Sequence, residues 1–338
     1  MNKRLAIFGP YPPPLGGISV HVKRMEPYLI KNKIGYKIFN HGSVSNEFVV
    51  PTNKKMFWYI KLFFEKNFTL FHFHQFFYFH FFYYLIFSWV RKDKILVTIH
   101  SERILGYGLI KKRIAVFLLS KTRNISLISV SKNLNDYFKN NGIKSIFLPA
   151  YVPPQTSLKS KIDSESYSGH LFLFSVWKFD KKLANEVYNV PLIFEFLSKH
   201  KKDFTMLFMI GSKSNSDLKY LEVLLSKYGI HNNIKVLFNE NLVDYIHNCK
   251  FLVRPNLHDG FGVSIQEALD LGVPAIASDV CQRPKGAILF NNSLEDLEDK
   301  IDLVLNTPVE SILSKKETLS YHNQLINIYI DLLKEAKQ

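Results

Sequence analysis

The chain reads as an α/β protein of two Rossmann-like domains in series, each a parallel sheet wrapped by helices. Three features carry that reading. Its 338 residues exceed one compact domain and suit two of ordinary size. Short apolar runs alternate with longer amphipathic ones along both halves, the pattern of strands joined by crossover helices. A polar, Ser-rich stretch opening on Pro153-Pro154 interrupts the alternation once, near the middle. The expected layout is an N-terminal domain over 1–154, a linker over 155–169 and a C-terminal domain over 170–317. A C-terminal helix at about 318–338 is expected to pack back on the first domain.

The first strand is RLAIFG, whose apolar stretch is too short for a secretory signal before Gly9 and Pro10 end it. A proline-stiffened loop follows, and Gly16-Gly17 opens a helix with apolar positions at Ile18, Val22, Met25 and Leu29. Two glycines there let a ligand approach the backbone, where free amides and the helix dipole favour an anion such as phosphate. The plainer alternative is a tight turn. The Gly-x-Gly-x-x-Gly spacing of a dinucleotide site is missing, and no Walker A sequence occurs.

YKIFN, FTLFHFH, ILVTIH, ISLISVS and SIFLP supply the remaining strands of the first domain. Ligands of open α/β sheets bind outside the carboxyl ends of the strands. His100, ending ILVTIH, and His72 and His74, ending FTLFHFH, are therefore candidates for a cleft, against the ordinary alternative that each is structural.

Phe68–Val90 carries no formal charge, and 13 of its 23 residues are Phe, Tyr or Trp. Its length would allow a membrane span, but His72, His74, Gln75 and His80 interrupt it, and the apolar part after His80 is too short to cross about 30 Å of hydrocarbon. It reads as a buried strand followed by an aromatic helix over 76–90 that presents an apolar face to a bilayer; a true span or plain core packing are the alternatives.

In the second half, HLFLFSV, TMLFMIGS, IKVLF, FLVRP, VPAIAS and AILF read as strands, separated by helical patterns such as SDLKYLEVLLSKYG. Val309–Lys337 reads as one long or broken amphipathic helix. The densest chemistry lies in FLVRPNLHDGFGVSIQEALDLGVPAIASDV. There a strand runs into a loop, Asp259-Gly260-Phe261-Gly262, and then into a helix carrying Glu267. The amides of Gly260, Phe261, Gly262, Val263 and Ser264 suit a diphosphate. Carboxylates on either side, Asp259 and Glu267, suit sugar or ribose hydroxyls, from which they accept hydrogen bonds.

Charge separates the halves. Residues 1–150 hold 23 basic against 6 acidic residues, a net of +17, and residues 151–338 hold 21 against 23, a net of −2. One half meets something anionic. Only Cys249 and Cys281 are present, too few for a disulfide framework; both read as core thiols of a protein in a reducing cytoplasm.

The stretch from Asp259 through Glu267 to Ala-Ile-Ala-Ser278 resembles the glutamate, seven residues, glutamate signature of the retaining glycosyltransferases of family 4. The Gly16-Gly17 loop is similar to that family's first loop, and so is the order strand, His100, strand, SVSKNL, strand, linker. The block RPN…DG…EAL…ASDV…RPKG looks closest to bacterial enzymes that build capsular or lipopolysaccharide O-antigen chains. The resemblance covers nearly the whole chain. It implies the GT-B fold, two Rossmann-like domains with a cleft between them, and transfer of a sugar from a nucleoside diphosphate sugar, with UDP or GDP as carrier, to an acceptor hydroxyl with retention.

On that resemblance Glu267 binds the ribose, the Gly260–Ser264 amides together with Gly16 and Gly17 hold the phosphates, Asp259 contacts the transferred sugar and His100 lies by the reacting centre. The family's Arg and Lys after the first strand of the second domain fall on Lys178 and on Lys181 or Lys182. Two departures stand out: Asp259 replaces a Glu, and Lys178 replaces an Arg, which keeps the charge but loses the bidentate fork. No metal or other cofactor is expected. A lipid-linked oligosaccharide acceptor, and peripheral docking of the basic, aromatic first domain on the anionic cytoplasmic face of the plasma membrane, follow from the charge split. The rivals are a GT-B enzyme of another family, an epimerase or inverting transferase; a silent sugar-nucleotide-binding subunit; and a nucleic-acid-binding protein, for which no reading motif is present.

Overall fold

The computed structural model describes residues 5–13, 15–52, 57–74, 78–154, 167, 169–212, 214–314 and 320–336. The chain forms two compact units. One holds Met1–Pro13, Gly17–Val152 and Ser320–Gln338; the other holds Pro14–Gly16 and Pro153–Leu319. Most of the linker expected over 155–169 lies outside the described residues.

The first unit runs β1 (Leu5–Gly9), α1 (Gly17–Lys31), β2 (Tyr36–Asn40), β3 (Val49–Pro51), α2 (Phe57–Lys61), β4 (Leu70–Phe73), α3 (His80–Val90), β5 (Lys94–Ile99), α4 (Leu109–Lys121), β6 (Ile125–Ser129), α5 (Lys132–Asn140) and β7 (Ser145–Phe147). Its seven strands lie in the order β3-β2-β1-β4-β5-β6-β7, with every pairing parallel. Successive residues of a strand point to opposite faces. Leu5 and Ile7 of β1 accordingly enter one core, with Val22, Met25 and Leu29 of α1, while Ala6 and Phe8 enter the other, with Phe81, Tyr84 and Phe87 of α3. A sheet buried on both faces explains why these strands read as continuous apolar runs.

The second unit runs β8 (His170–Lys178), α6 (Lys181–Glu186), α7 (Val190–Lys199), β9 (Phe204–Ser212), α8 (Asn215–Tyr228), β10 (Ile234–Phe238), α9 (Val243–Ile246), β11 (Phe251–Arg254), α10 (Val263–Asp270), β12 (Ala275–Ser278), β13 (Ile288–Phe290), α11 (Leu294–Asn306) and α12 (Val309–Leu313). Six parallel strands lie in the order β10-β9-β8-β11-β12-β13. Local chemistry sets the helix ends. Ser214 and Asp217 form a reciprocal capping box at the start of α8, and Gly229 closes that helix in the left-handed conformation.

Two readings are sharpened. The aromatic helix starts at His80, with Tyr78 and Phe79 in a turn ahead of it; 75–77 lie outside the described residues. Phe79 at the cap position makes no side-chain capping bond, so nothing in the sequence marked that end. The C-terminal pattern is two helices, α12 and α13 (Tyr321–Glu335), and Leu325, Ile326, Tyr329 and Leu332 of α13 complete the core beneath β1 in the first unit. Among the described residues no helix is long and apolar enough to cross a membrane.

In each sheet the strand order reverses once, between β1 and β4 in the first unit and between β8 and β11 in the second. The carboxyl ends of strands at such a reversal border the crevice where open α/β sheets bind ligands. His74 follows β4, Lys178 ends β8 and Arg254 ends β11.

Candidate functional site

In the second unit the site grows out of the end of β11. Arg254 is the strand's last residue, and the segment after it is anchored by the Leu257 amide donating to the Val187 carbonyl at 2.8 Å. The loop turns into α10 through Gly262, whose φ is 78° and where a Cβ would lie 2.6 Å from Ile265 Cδ1. Only glycine fits that corner. At Gly260 a Cβ would meet nothing within 4 Å, so its backbone is open to approach.

Asp259 is the centre of a charge network. Its Oδ1 accepts from Arg254 NH2 at 2.8 Å and from the Gly260 amide at 2.9 Å; its Oδ2 accepts from Arg254 Nε and from Arg283 NH1. Arg283, with a side chain 1% exposed, also donates to the carbonyl and hydroxyl oxygens of Ser278. Burial alone would raise the Asp259 carboxyl, but the Arg254 and Arg283 guanidinium groups outweigh it and hold it well below the usual carboxylate range. Arg254 NH1 donates to Ser264 Oγ at 3.1 Å, which fixes the guanidinium against the first turn of α10.

Two expectations change here. The Gly260 amide bonds to Asp259 rather than facing a ligand, because the carboxylate beside it is the nearer acceptor. Asp259 itself already accepts four N–H groups, which leaves it no ready acceptor for a sugar hydroxyl. Glu267 is buried, 6% exposed, on α10, and Phe261, Val263 and Ser264 are half-buried along the same turn.

The lysines lie on the neighbouring strand and helix. Lys178 is half-exposed and pairs with Asp180 at 3.2 Å; Asp180 in turn accepts from the Leu183 amide to cap α6. Lys182 is exposed and pairs with Glu186 at 3.8 Å, and Lys181 is the first residue of α6. The Tyr188 hydroxyl, raised by burial, lies among the Trp177 and Lys178 backbone and the Arg254–Asp259 pair. Cys281 is half-buried and donates to the Gly260 carbonyl, so it belongs to this loop rather than to the core. Cys249 is a core thiol, pushed up to about 12 by burial.

In the first unit the strand-end histidines form one cluster. His74 Nδ1 and His100 Nε2 are 3.0 Å apart, and the ring of His21 on α1 lies 5.2 Å from that of His74 and 6.0 Å from that of His100. Burial is the main cause that pushes His21 down to about 4 and His100 down to about 3, so both are neutral near pH 7. His72 is structural: its nitrogens contact Tyr329 OH at 2.6 Å and Thr98 Oγ1 at 2.8 Å inside the core. Gly17 starts α1 with open space where a Cβ would stand, and Gly16 lies in the loop ahead of it.

Reasoning from sequence missed Arg254, Arg283 and His21. Arg254 carried a usable signal, a charged residue ending a buried strand, the same signal that singled out His100. His21 is hidden on the buried face of an amphipathic helix, and Arg283, although it opens the RPKG motif quoted above, carries no local sign of its partner.

Residues 181–321 match the family described as glycosyl transferases group 1. No curated protein matches the sequence. The chain is similar throughout its length to solved structures. Sucrose-phosphate synthase of Thermosynechococcus elongatus is 14% identical, with 98% of this chain and 100% of that one covered and a TM-score of 0.71. HepE of Anabaena, solved in complex with UDP and glucose, is also 14% identical, with 97% and 99% covered and a TM-score of 0.71. WaaG, a glycosyltransferase involved in lipopolysaccharide biosynthesis, is 12% identical, with 96% and 99% covered and a TM-score of 0.68. The fold is GT-B, as the resemblance implied.

Proposed function

We propose that this transferase moves a sugar from a nucleoside diphosphate sugar, with UDP or GDP as the carrier, to a hydroxyl of a lipid-linked oligosaccharide in the synthesis of a bacterial capsule, lipopolysaccharide or O-antigen. The observation that carries the donor half is the β11–α10 corner. Buried Glu267, the turn at Gly262–Ser264 and a guanidinium at a strand end meet at the reversal of the sheet. HepE, with the same fold, holds UDP and UDP-glucose in its crystals. Glu267 is assigned to the ribose hydroxyls and the amides at the start of α10 to the diphosphate. Lys178, Lys181 and Lys182 add positive charge beside it, which does electrostatic work without a metal. His100, neutral and oriented by His74, is assigned to the transferred sugar as a hydrogen-bonding group.

The acceptor half rests on the surface of the first unit. Helices α3 and α4 run side by side: Tyr78 OH donates to the Lys111 carbonyl, and Trp89 Nε1 to the Lys121 carbonyl, at 3.1 and 3.4 Å. Phe82, Ile86 and Trp89 of α3 and Leu109, Ile110 and Phe117 of α4 are exposed, and α4 carries Lys111, Lys112, Arg113 and Lys121. The Arg123 guanidinium stacks 3.7 Å over Trp89. Apolar side chains interleaved with basic ones suit an anionic bilayer surface, where each basic residue contributes about 1 kcal/mol. On this reading the protein docks at the inner face of the plasma membrane through α3 and α4.

Thermal denaturation with a panel of sugar nucleotides tests the donor assignment. A donor at about 100 times its Kd stabilises by about 2.7 kcal/mol. At least one should raise the melting temperature of the wild type and leave Glu267→Ala unmoved, whereas an equal rise in both removes the assignment. Flotation with anionic vesicles tests the membrane face: binding at low salt should vanish in Lys111→Glu/Lys112→Glu/Arg113→Glu, and failure of the wild type to float excludes it.

A further inference from the structure

We infer that Arg254 is the residue that grips the donor's diphosphate, and that Asp259, backed by Arg283, is the residue that positions it. The inference rests on the nucleotide-sugar reading above and assigns the two charges differently from the resemblance. A carboxylate offers about four lone-pair sites. Those of Asp259 face Arg254 Nε, Arg254 NH2, Arg283 NH1 and the Gly260 amide. The carboxylate therefore serves the arginines.

Two guanidinium groups against one carboxylate leave one positive charge uncompensated within the network. Arg283 is spent internally: its Nε and NH2 go to Ser278, its NH1 goes to Asp259, and its side chain is 1% exposed. Arg254 is placed differently. Its side chain is 18% exposed, it ends β11 at the reversal of the sheet, and Asp259 and Ser264 hold its plane through Nε, NH1 and NH2. Those three bonds use three of its five N–H groups. The remaining two, on adjacent terminal nitrogens, form a fork of the kind that takes phosphate oxygens in pairs. A half-exposed lysine paired with Asp180 offers a single point charge in comparison. The bidentate cation that Lys178 does not supply is thus supplied by the neighbouring strand.

Calorimetric titration of the full chain with the di- and monophosphates of uridine, guanosine, adenosine and thymidine tests this. The wild type should prefer one diphosphate over its own monophosphate. Arg254→Met should lose that preference, with diphosphate affinity falling about 30-fold or more and monophosphate affinity changing by less than about 3-fold. Arg254→Lys keeps the charge and loses the fork, so it should fall about 10-fold even if Arg254→Met fails to fold. Asp259→Asn should show the same selective loss, which a merely structural role would not produce. An unchanged diphosphate-to-monophosphate ratio in the Arg254 variants overturns the inference and leaves the nucleotide-sugar reading standing. Absence of any nucleotide binding by the wild type overturns both.

Discussion

Replacing Asp259 by Asn removes the anion that two arginines share while keeping the shape of the side chain and an oxygen for the Gly260 amide. Arg283, 1% exposed, cannot turn to water, and Arg254, 18% exposed, can do so only in part. Removing one partner of a buried ion pair costs about 3–5 kcal/mol, chiefly because a charge stays buried without compensation. The access of Arg254 to solvent argues for the lower end, so a loss of about 3 kcal/mol is expected. Trp177 is the sole tryptophan of the second unit, on β8. In a Trp58→Phe/Trp89→Phe background, its fluorescence during urea unfolding reports that unit alone. The double variant Asp259→Asn/Arg283→Met removes the stranded charge and should recover about 1–2 kcal/mol. A loss below about 1 kcal/mol for Asp259→Asn, or no recovery in the double variant, refutes the reasoning that the carboxylate is there to hold the arginines.

Acid should weaken the first unit well before it touches this network. His21 has a folded value of about 4 against about 6.5 when unfolded, so its contribution is complete above pH 6.5 and lost as pH falls toward 4. That is roughly 3 kcal/mol from His21 alone, with His72, His74 and His100 shifted in the same direction, and proteolysis of the first unit between pH 6 and 4 should show it. Asp259 is displaced the other way: its pairing is present above the unfolded carboxylate value near 3.9 and survives at pH 4, so Trp177 should report a folded second unit there. Gly262→Ala should cost about 2 kcal/mol or more from its φ of 78° and the contact with Ile265, while Gly260→Ala, with open space at its Cβ, should leave stability within about 0.5 kcal/mol. Urea denaturation of both variants checks that contrast.

The strands were legible because both faces of each sheet are buried, so runs such as ILVTIH and HLFLFSV stand out against amphipathic helices. Helix ends were legible where a cap residue announces them, as Ser214 does, and not where an aromatic stands at the cap, as Phe79 does. The loop from Asp259 to Ser264 and Glu267 on the helix behind it were legible because they lie together in sequence. Their partners were not. Arg283 is 24 residues beyond Asp259 and reaches it only because β12 returns alongside β11. The histidine cluster needed α1, β4 and β5 to converge, and Tyr329 joined it from the far end of the chain. Spacing in sequence shows which residues could share a helix face; it does not show which carboxylate oxygens are already taken.

Donor consumption tests the central claim most directly. Each sugar nucleotide of a panel that includes UDP- and GDP-linked sugars is incubated with the full chain and anionic vesicles. Free sugar released to water is followed by proton NMR before its anomers equilibrate, with Glu267→Ala in parallel. The account predicts that at least one donor is consumed, that the sugar first appears with the anomeric configuration it had in the donor, and that Glu267→Ala is slowed at least about 100-fold through lost donor binding. A first product of inverted configuration, or equal consumption by wild type and variant, would contradict it.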